Sequence, residues 1–205
     1  MSGNYTYIIA SLPRLSLDFK PDRNGCAELI SWIASQLDGK DSAKLDMVNR
    51  GFVPENLTED FYRAALKDSN CFIRSYFTAD LMLRNAKTAY LNRELGRPSG
   101  TDEMVFGEES DVRIDSSGMD TAAIEKIFPG TDLLERERAM DGFLWKEADR
   151  ITLFKYFTLD NVLAVVVKLH IIDRWLALDE EKGREMLKEL IGKLRGTYGK
   201  IEYTE

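Results

Sequence analysis

The sequence predicts a mainly α fold, a multi-helix bundle of about eight helices. Three observations lead there. Tyr156 to Asp179 reads Y-F-T-L-D-N-V-L-A-V-V-V-K-L-H-I-I-D-R-W-L-A-L-D, apolar around most of a helical circumference; such a helix belongs in the middle of a bundle. Elsewhere, apolar residues recur at spacings of three and four. Glycine and proline fall between these runs rather than inside them, and strand-like alternation is too brief to count.

Taken in order, Asn4 to Leu12 is a short strand or an irregular lead-in, because the alternation of Tyr5 and Tyr7 cannot decide between them. Pro13 and Pro21 bracket a linker. Ala27, Ile30, Ile33, Ala34 and Leu37 then mark a helix that Gly39 ends. A short helix covers Ser42 to Arg50, with Gly51 and Pro54 beyond it. Thr58 caps a helix running to about Lys67, with Glu59 and Asp60 at the positive end of its dipole. Asp68 to Asn70 is a break. Cys71 to Leu95 is one long helix with a stripe of Ile73, Phe77, Leu81, Ala86 and Tyr90, stopped by Gly96 and Pro98.

The stretch from about 97 to 118 loses all periodicity and fills with Gly, Ser, Asp and Glu. It reads as a mobile acidic connection between two helical halves of a single domain, 1–205. After it, Asp120 caps a short helix through Ala123 to Phe128. Thr131 or Asp132 starts another that runs through Trp145 to about Phe154. Thr158 caps the apolar helix, and Asp179 or Glu180 opens a last one with Met186, Leu187, Leu190, Ile191 and Leu194 inward. Glu189 and Lys193 are a favourable i,i+4 pair on it.

The bulk numbers exclude several classes. The chain of 205 residues carries 35 acidic and 28 basic residues, a net charge of −7. That balance disfavours nucleic acid and an anionic membrane surface as partners. Lys168, His170, Asp173 and Arg174 interrupt the longest apolar run, which argues against a membrane span. No signal-peptide pattern opens the chain. Cys26 and Cys71 are the only cysteines. Both fall in apolar helical patterns and read as small core residues rather than a disulfide framework. The expectation is a cytoplasmic protein.

No catalytic signature emerges. His170 is the only histidine, so a two-histidine zinc helix is impossible. His170 and Asp173 share a face as two conceivable metal ligands, too few for a structural zinc site. The plainer reading is a partly exposed histidine on a polar arc with Asp173, Arg174 and Ala177. There is no phosphate-binding glycine loop and no nucleophile elbow. Glu108–Glu109 and Glu180–Glu181 read as solvated pairs, and Glu135 to Arg138 as a charged face or a salt-bridged docking surface. The many aromatics read mostly as core. No cofactor, no metal and no enzymatic activity are expected.

Two stretches carry a resemblance. N-Y-T-Y-I-I-A-S-L-P-R-L at the start is similar to the Y-x-Y-x-x-A-R-L-R opening of the C/d-type family of V/A-type rotary ATPase subunits, which cap the membrane rotor ring. Asn161 to Trp175 resembles that family's C-terminal helix, roughly V-x-A-Y-L-x-x-K-E-x-E-I-x-N-L-R, with Ala164, Lys168, Ile172 and Arg174 near matching places. More closely, the whole chain resembles a short bacterial family of uncharacterised function found beside V-type ATPase genes. The resemblance implies a shortened member of the C/d-type family: a non-catalytic subunit or assembly factor between the central stalk and the membrane rotor ring. It would sit at the inner face of the cell membrane and be held there by protein contacts alone. Tyr5, Tyr7, Arg14, Lys168, Arg174 and Trp175 become the partner-docking residues. A helical adaptor with an unrelated partner is the alternative. A third reading, an enzyme, requires a deep pocket with polar groups converging around His170, Arg174 and Asp149.

Overall fold

The computed structural model of the chain describes residues 4–17, 25–106, 112–129 and 132–177. Eight α-helices and one 3₁₀ turn, with no strand, make up the regular structure of the described residues. They are α1 (Tyr5–Ser11), α2 (Gly25–Gln36), α3 (Gly39–Arg50), the 3₁₀ turn Pro54–Asn56, α4 (Glu59–Leu66), α5 (Cys71–Glu94), α6 (Thr121–Ile127), α7 (Leu133–Thr152) and α8 (Leu159–Ala177). The mainly α expectation holds. The last helix expected from Asp179, its Glu189–Lys193 pair, and the acidic pairs Glu108–Glu109 and Glu180–Glu181 lie outside the described residues.

The apolar helix is central. α8 packs against α1, α2, α3, α5 and α7, and Val162, Leu163, Val166, Val167 and Leu169 are wholly buried. Each such side chain contributes about 1.5–3 kcal/mol on leaving water. The second long helix, α5, lies against α4, α7 and α8. Its first turns carry an aromatic core: Phe72 stacks on Tyr76 at 5.7 Å, and Phe77 meets Phe61 edge-on at 5.0 Å. One continuous core draws on both sides of the acidic stretch.

Local signals decide most helix starts. Thr58 accepts from the Phe61 amide, Asp120 from Ala123, and Asp132 from Leu134 and Glu135, satisfying amides that a helix leaves unpaired. Three expectations need correction. The opening segment is a helix: Asn4 caps it by accepting from the Tyr7 amide, and Ile8 buries against the core. Cys71 is exposed, since it is the first residue of α5 and its neighbours Phe72 and Ile73 face inward; Cys26 is buried as expected, and both thiols are free. Finally, α8 begins at Leu159. Tyr156 and Phe157 belong to the turn before it and are exposed, and the Thr158 hydroxyl donates to the Lys155 carbonyl at 3.0 Å.

The acidic stretch has no helix where described, yet it is tied down at its start. Asn85 donates to the Met104 carbonyl at 2.7 Å and accepts from the Met104 amide at 3.0 Å, while Asn92 donates to Thr101 at 2.6 Å. Met104 and Phe106 pack on the core, and the Arg63 guanidinium lies 5.6 Å over the Phe106 ring.

Gly51 ends α3 for a steric reason. Its φ of −69° suits any residue, but a Cβ there would fall 2.3 Å from the Phe77 ring and 3.2 Å from Phe61. Gly51→Ala is therefore expected to destabilise the fold by about 1–3 kcal/mol through overpacking. Urea denaturation checks this, and Phe77→Leu in the same chain should recover part of the loss.

Candidate functional site

Two features stand out on the finished fold. One is a cleft among α5, α7 and α8 beside the α3 end; the other is the turn joining α7 to α8.

The cleft is bounded by charge from three helices. Lys87 on α5 pairs with Glu137 on α7 at 2.6 Å, and Arg174 on α8 contacts Glu137 at 3.2 Å and Asp141 at 2.7 Å. Trp175 donates its indole N–H to the same Asp141 oxygen at 2.7 Å. Deeper in, Asp80 accepts from the buried Tyr62 hydroxyl and from Arg84 Nε at 2.8 Å. Burial raises the Glu137 carboxyl, but Lys87 and Arg174 outweigh it and hold the group below its usual range. At Asp141 burial wins over Arg174 and Trp175, and its pKa is raised. These groups line a partly open cavity of about 220 Å³, together with the apolar side chains of Phe77, Leu83 and Leu144.

His170 forms the cleft's other wall. Its Nε2 lies 2.9 Å from the Asn49 side-chain oxygen, and its ring stacks on Phe52 at 4.4 Å. The polar arc expected from the sequence is thus split. Asp173, Arg174 and Ala177 are exposed or nearly so, whereas His170 is half-buried against α3. Burial pushes its pKa down to about 4, with Asp173 opposing. The sign of the linkage follows. Between the ordinary value of 6.5 and about 4, the unfolded chain takes up a proton that the folded chain refuses. Stability is therefore full above that window and falls with pH through it, by at most about 3 kcal/mol. Urea midpoints of wild type and His170→Gln at pH 7 and pH 5 check this: the variant should lose less on acidification.

The residues expected to dock a partner are dispersed. Tyr5 is half-buried and donates to Asp41 at 2.5 Å. Tyr7 is exposed, its ring 6.1 Å from Trp32. Arg14 is exposed. Lys168 pairs with Asp149 at 2.5 Å and lies 5.0 Å over the Trp145 ring, with most of its own side chain covered. Arg174 and Trp175 alone come together, at Asp141. Of the three polar groups an enzyme reading would bring together, His170 and Arg174 line the cleft, whereas Asp149 does not and pairs with Lys168. The Glu135–Arg138 run proves to be a seam: Glu137 enters the ion-pair network, Arg136 lies 4.8 Å over Tyr90, and Arg138 lies 5.8 Å over Trp175.

Sequence reasoning missed the α7–α8 turn. Leu153, Phe154, Tyr156 and Phe157 are 60%, 78%, 64% and 55% exposed. The aromatics among them read as core in the sequence. Phe154 also holds a left-handed backbone with φ of +69°, a conformation that costs a bulky residue about 1–3 kcal/mol and clusters at functional sites. The turn is anchored from beneath by Asp160, which pairs with Lys155 at 2.7 Å and accepts from Asn70 at 2.7 Å.

Among the described residues no helix is long and apolar enough to cross a membrane, and no group of three His, Cys, Asp or Glu side chains could hold a metal ion. No curated protein and no solved structure matches the chain. Residues 118–197 match the model of a family described as a protein of unknown function, DUF2764; the match takes in α6, the α7–α8 hairpin with its exposed tip, and the Glu137, Asp141 and Arg174 side of the cleft.

Proposed function

We propose that the chain is a non-catalytic helical subunit or assembly factor of a V/A-type rotary ATPase, docking between the central stalk and the membrane rotor ring. The observation that carries the docking role is the α7–α8 tip, where four large apolar side chains within five consecutive residues are exposed to water. Exposed apolar clusters of this kind mark interaction sites, and aromatic anchors supply most of the energy at protein interfaces. The choice of partner rests on the resemblance to the rotor-capping C/d-type family. Its two stretches lie in α1 and α8, which are distant in sequence and pack together. Tyr7 and Arg14 add an exposed aromatic and a cation at the opening segment.

Co-purification is the test. A tagged chain expressed with its neighbouring ATPase subunits should be recovered with the stalk and catalytic subunits. The double substitution Phe154→Ser and Phe157→Ser should abolish recovery, by at least about tenfold for two lost aromatic anchors, while leaving the far-ultraviolet circular dichroism unchanged. Clean absence of the wild-type chain from the intact complex rejects the ATPase reading. If the wild-type chain is absent there but forms a stable complex with another protein through the same tip, the adaptor alternative stands instead.

A further inference from the structure

We propose that the cavity among α5, α7 and α8 binds a small zwitterion, an α-amino acid with an apolar side chain. The α7–α8 tip residues that carry the docking role do not line this cavity, and four observations converge on it. First, its charged wall is balanced: Arg84, Lys87 and Arg174 face Asp80, Glu137 and Asp141. A ligand of net charge would leave an uncompensated charge in a partly desolvated place, whereas a zwitterion leaves none. Second, the wall retains unused capacity of both signs. Among the described residues, Asp80 accepts from Tyr62 and Arg84 through Oδ2 alone, and Asp141 meets Arg174 and Trp175 through Oδ2 alone. Arg84 is engaged with Asp80 through Nε and also with Tyr62, whereas among the described residues Arg174 reaches both its carboxylates through a single terminal nitrogen. Among the described residues, the second oxygens of Asp80 and Asp141 and the remaining guanidinium N–H groups of Arg174 are therefore left for an ammonium and a carboxylate.

Third, Tyr76 lines the cavity, and its hydroxyl takes no hydrogen-bond partner among the described residues while staying open to the cavity rather than sealed in protein. A ligand in the cavity would give that hydroxyl a partner. Burial, reinforced by the charges of Asp80 and Asp141, keeps that hydroxyl protonated, so it is a donor available to a ligand carboxylate or an acceptor for its ammonium. Fourth, the cavity measures about 220 Å³, below the ~300–1,000 Å³ of pockets that take drug-sized molecules. Its apolar lining by Phe77, Leu83 and Leu144 suits an apolar side chain of a few carbons.

The test uses the full chain and three probes, L-leucine, L-methionine and L-phenylalanine, with isoamylamine and 4-methylpentanoate as the two single-charge counterparts of leucine. Isothermal titration calorimetry should show saturable binding of at least one amino acid at millimolar concentration and a matching rise in Tm. Each single-charge counterpart should bind at least about tenfold more weakly than leucine, since it forfeits a charge-assisted pair. Tyr76→Phe, which keeps the packed ring, should weaken binding about fivefold, the worth of one hydrogen bond, with an unchanged circular dichroism spectrum. Failure of all three amino acids to bind overturns the proposal. So does equal binding of the amine or the carboxylate, or wild-type affinity in Tyr76→Phe.

Discussion

Leu169→Ala is expected to lower the free energy of unfolding by about 3–5 kcal/mol. Leu169 is wholly buried at the helix that α1, α2, α3, α5 and α7 surround. Its neighbours Val166, Val167 and Ile172 are equally enclosed, so the surroundings cannot collapse into the space without moving a helix. The cost is then the lost transfer energy of the side chain together with a residual cavity. Leu153→Ala is the control. That side chain is 60% exposed, and its truncation should change stability by no more than about 0.5 kcal/mol. Urea denaturation with unchanged m-values measures both. Similar losses at the two positions would mean that α8 is not the enclosed element of this bundle.

Asp80→Ala should cost about 3 kcal/mol, whereas Tyr62→Phe should cost about 1 kcal/mol. The asymmetry follows from what each change leaves behind. Asp80 is 5% exposed and accepts from two donors on different helices, the Tyr62 hydroxyl of α4 and Arg84 Nε of its own helix. Removing the carboxylate strands a hydroxyl that is itself buried, and takes a charge-assisted bond from Arg84. Removing the hydroxyl leaves Asp80 still held by Arg84. Burial, with Asp80's charge behind it, raises the Tyr62 pKa far above its ordinary value, so the hydroxyl stays a donor at every pH at which the fold is studied. A double-mutant cycle reads the coupling directly: the pair should lose less than the sum of the singles. Additivity would show that the two groups do not share a bond.

The elements differ in how far they could be read in advance. The caps Thr58, Asp120 and Asp132 were legible because each bonds an amide two or three residues away, and the stop at Gly96 follows the same short-range logic. The opening helix was not, because Tyr5 and Tyr7 alternate as a strand would and the helix is settled by Asn4 at one end and by Ile8 packing into the core. The exposed aromatics of the α7–α8 turn were misread for a related reason: a Phe looks like core until the direction of the chain around it is known. The cleft was partly visible, since Arg174 and Trp175 were singled out and His170 was recognised as the sole histidine. Its composition was not. Lys87 meets Glu137 across 50 positions and Arg174 meets it across 37, and no spacing rule connects them.

The residue order by itself determined that this chain is a helical bundle, where most of its helices begin, and that the apolar stretch near the carboxyl end is its axis. Those outcomes depend on period and on hydrogen bonds closed within a few residues, which are properties of the chain as a string. Which charges face one another over the cavity, which aromatics are left in water at the hairpin tip, and why His170 stays neutral were decided only by the tertiary structure. Coulombic attraction and desolvation act through space between helices, and their partners exist only once the packing has brought distant segments together.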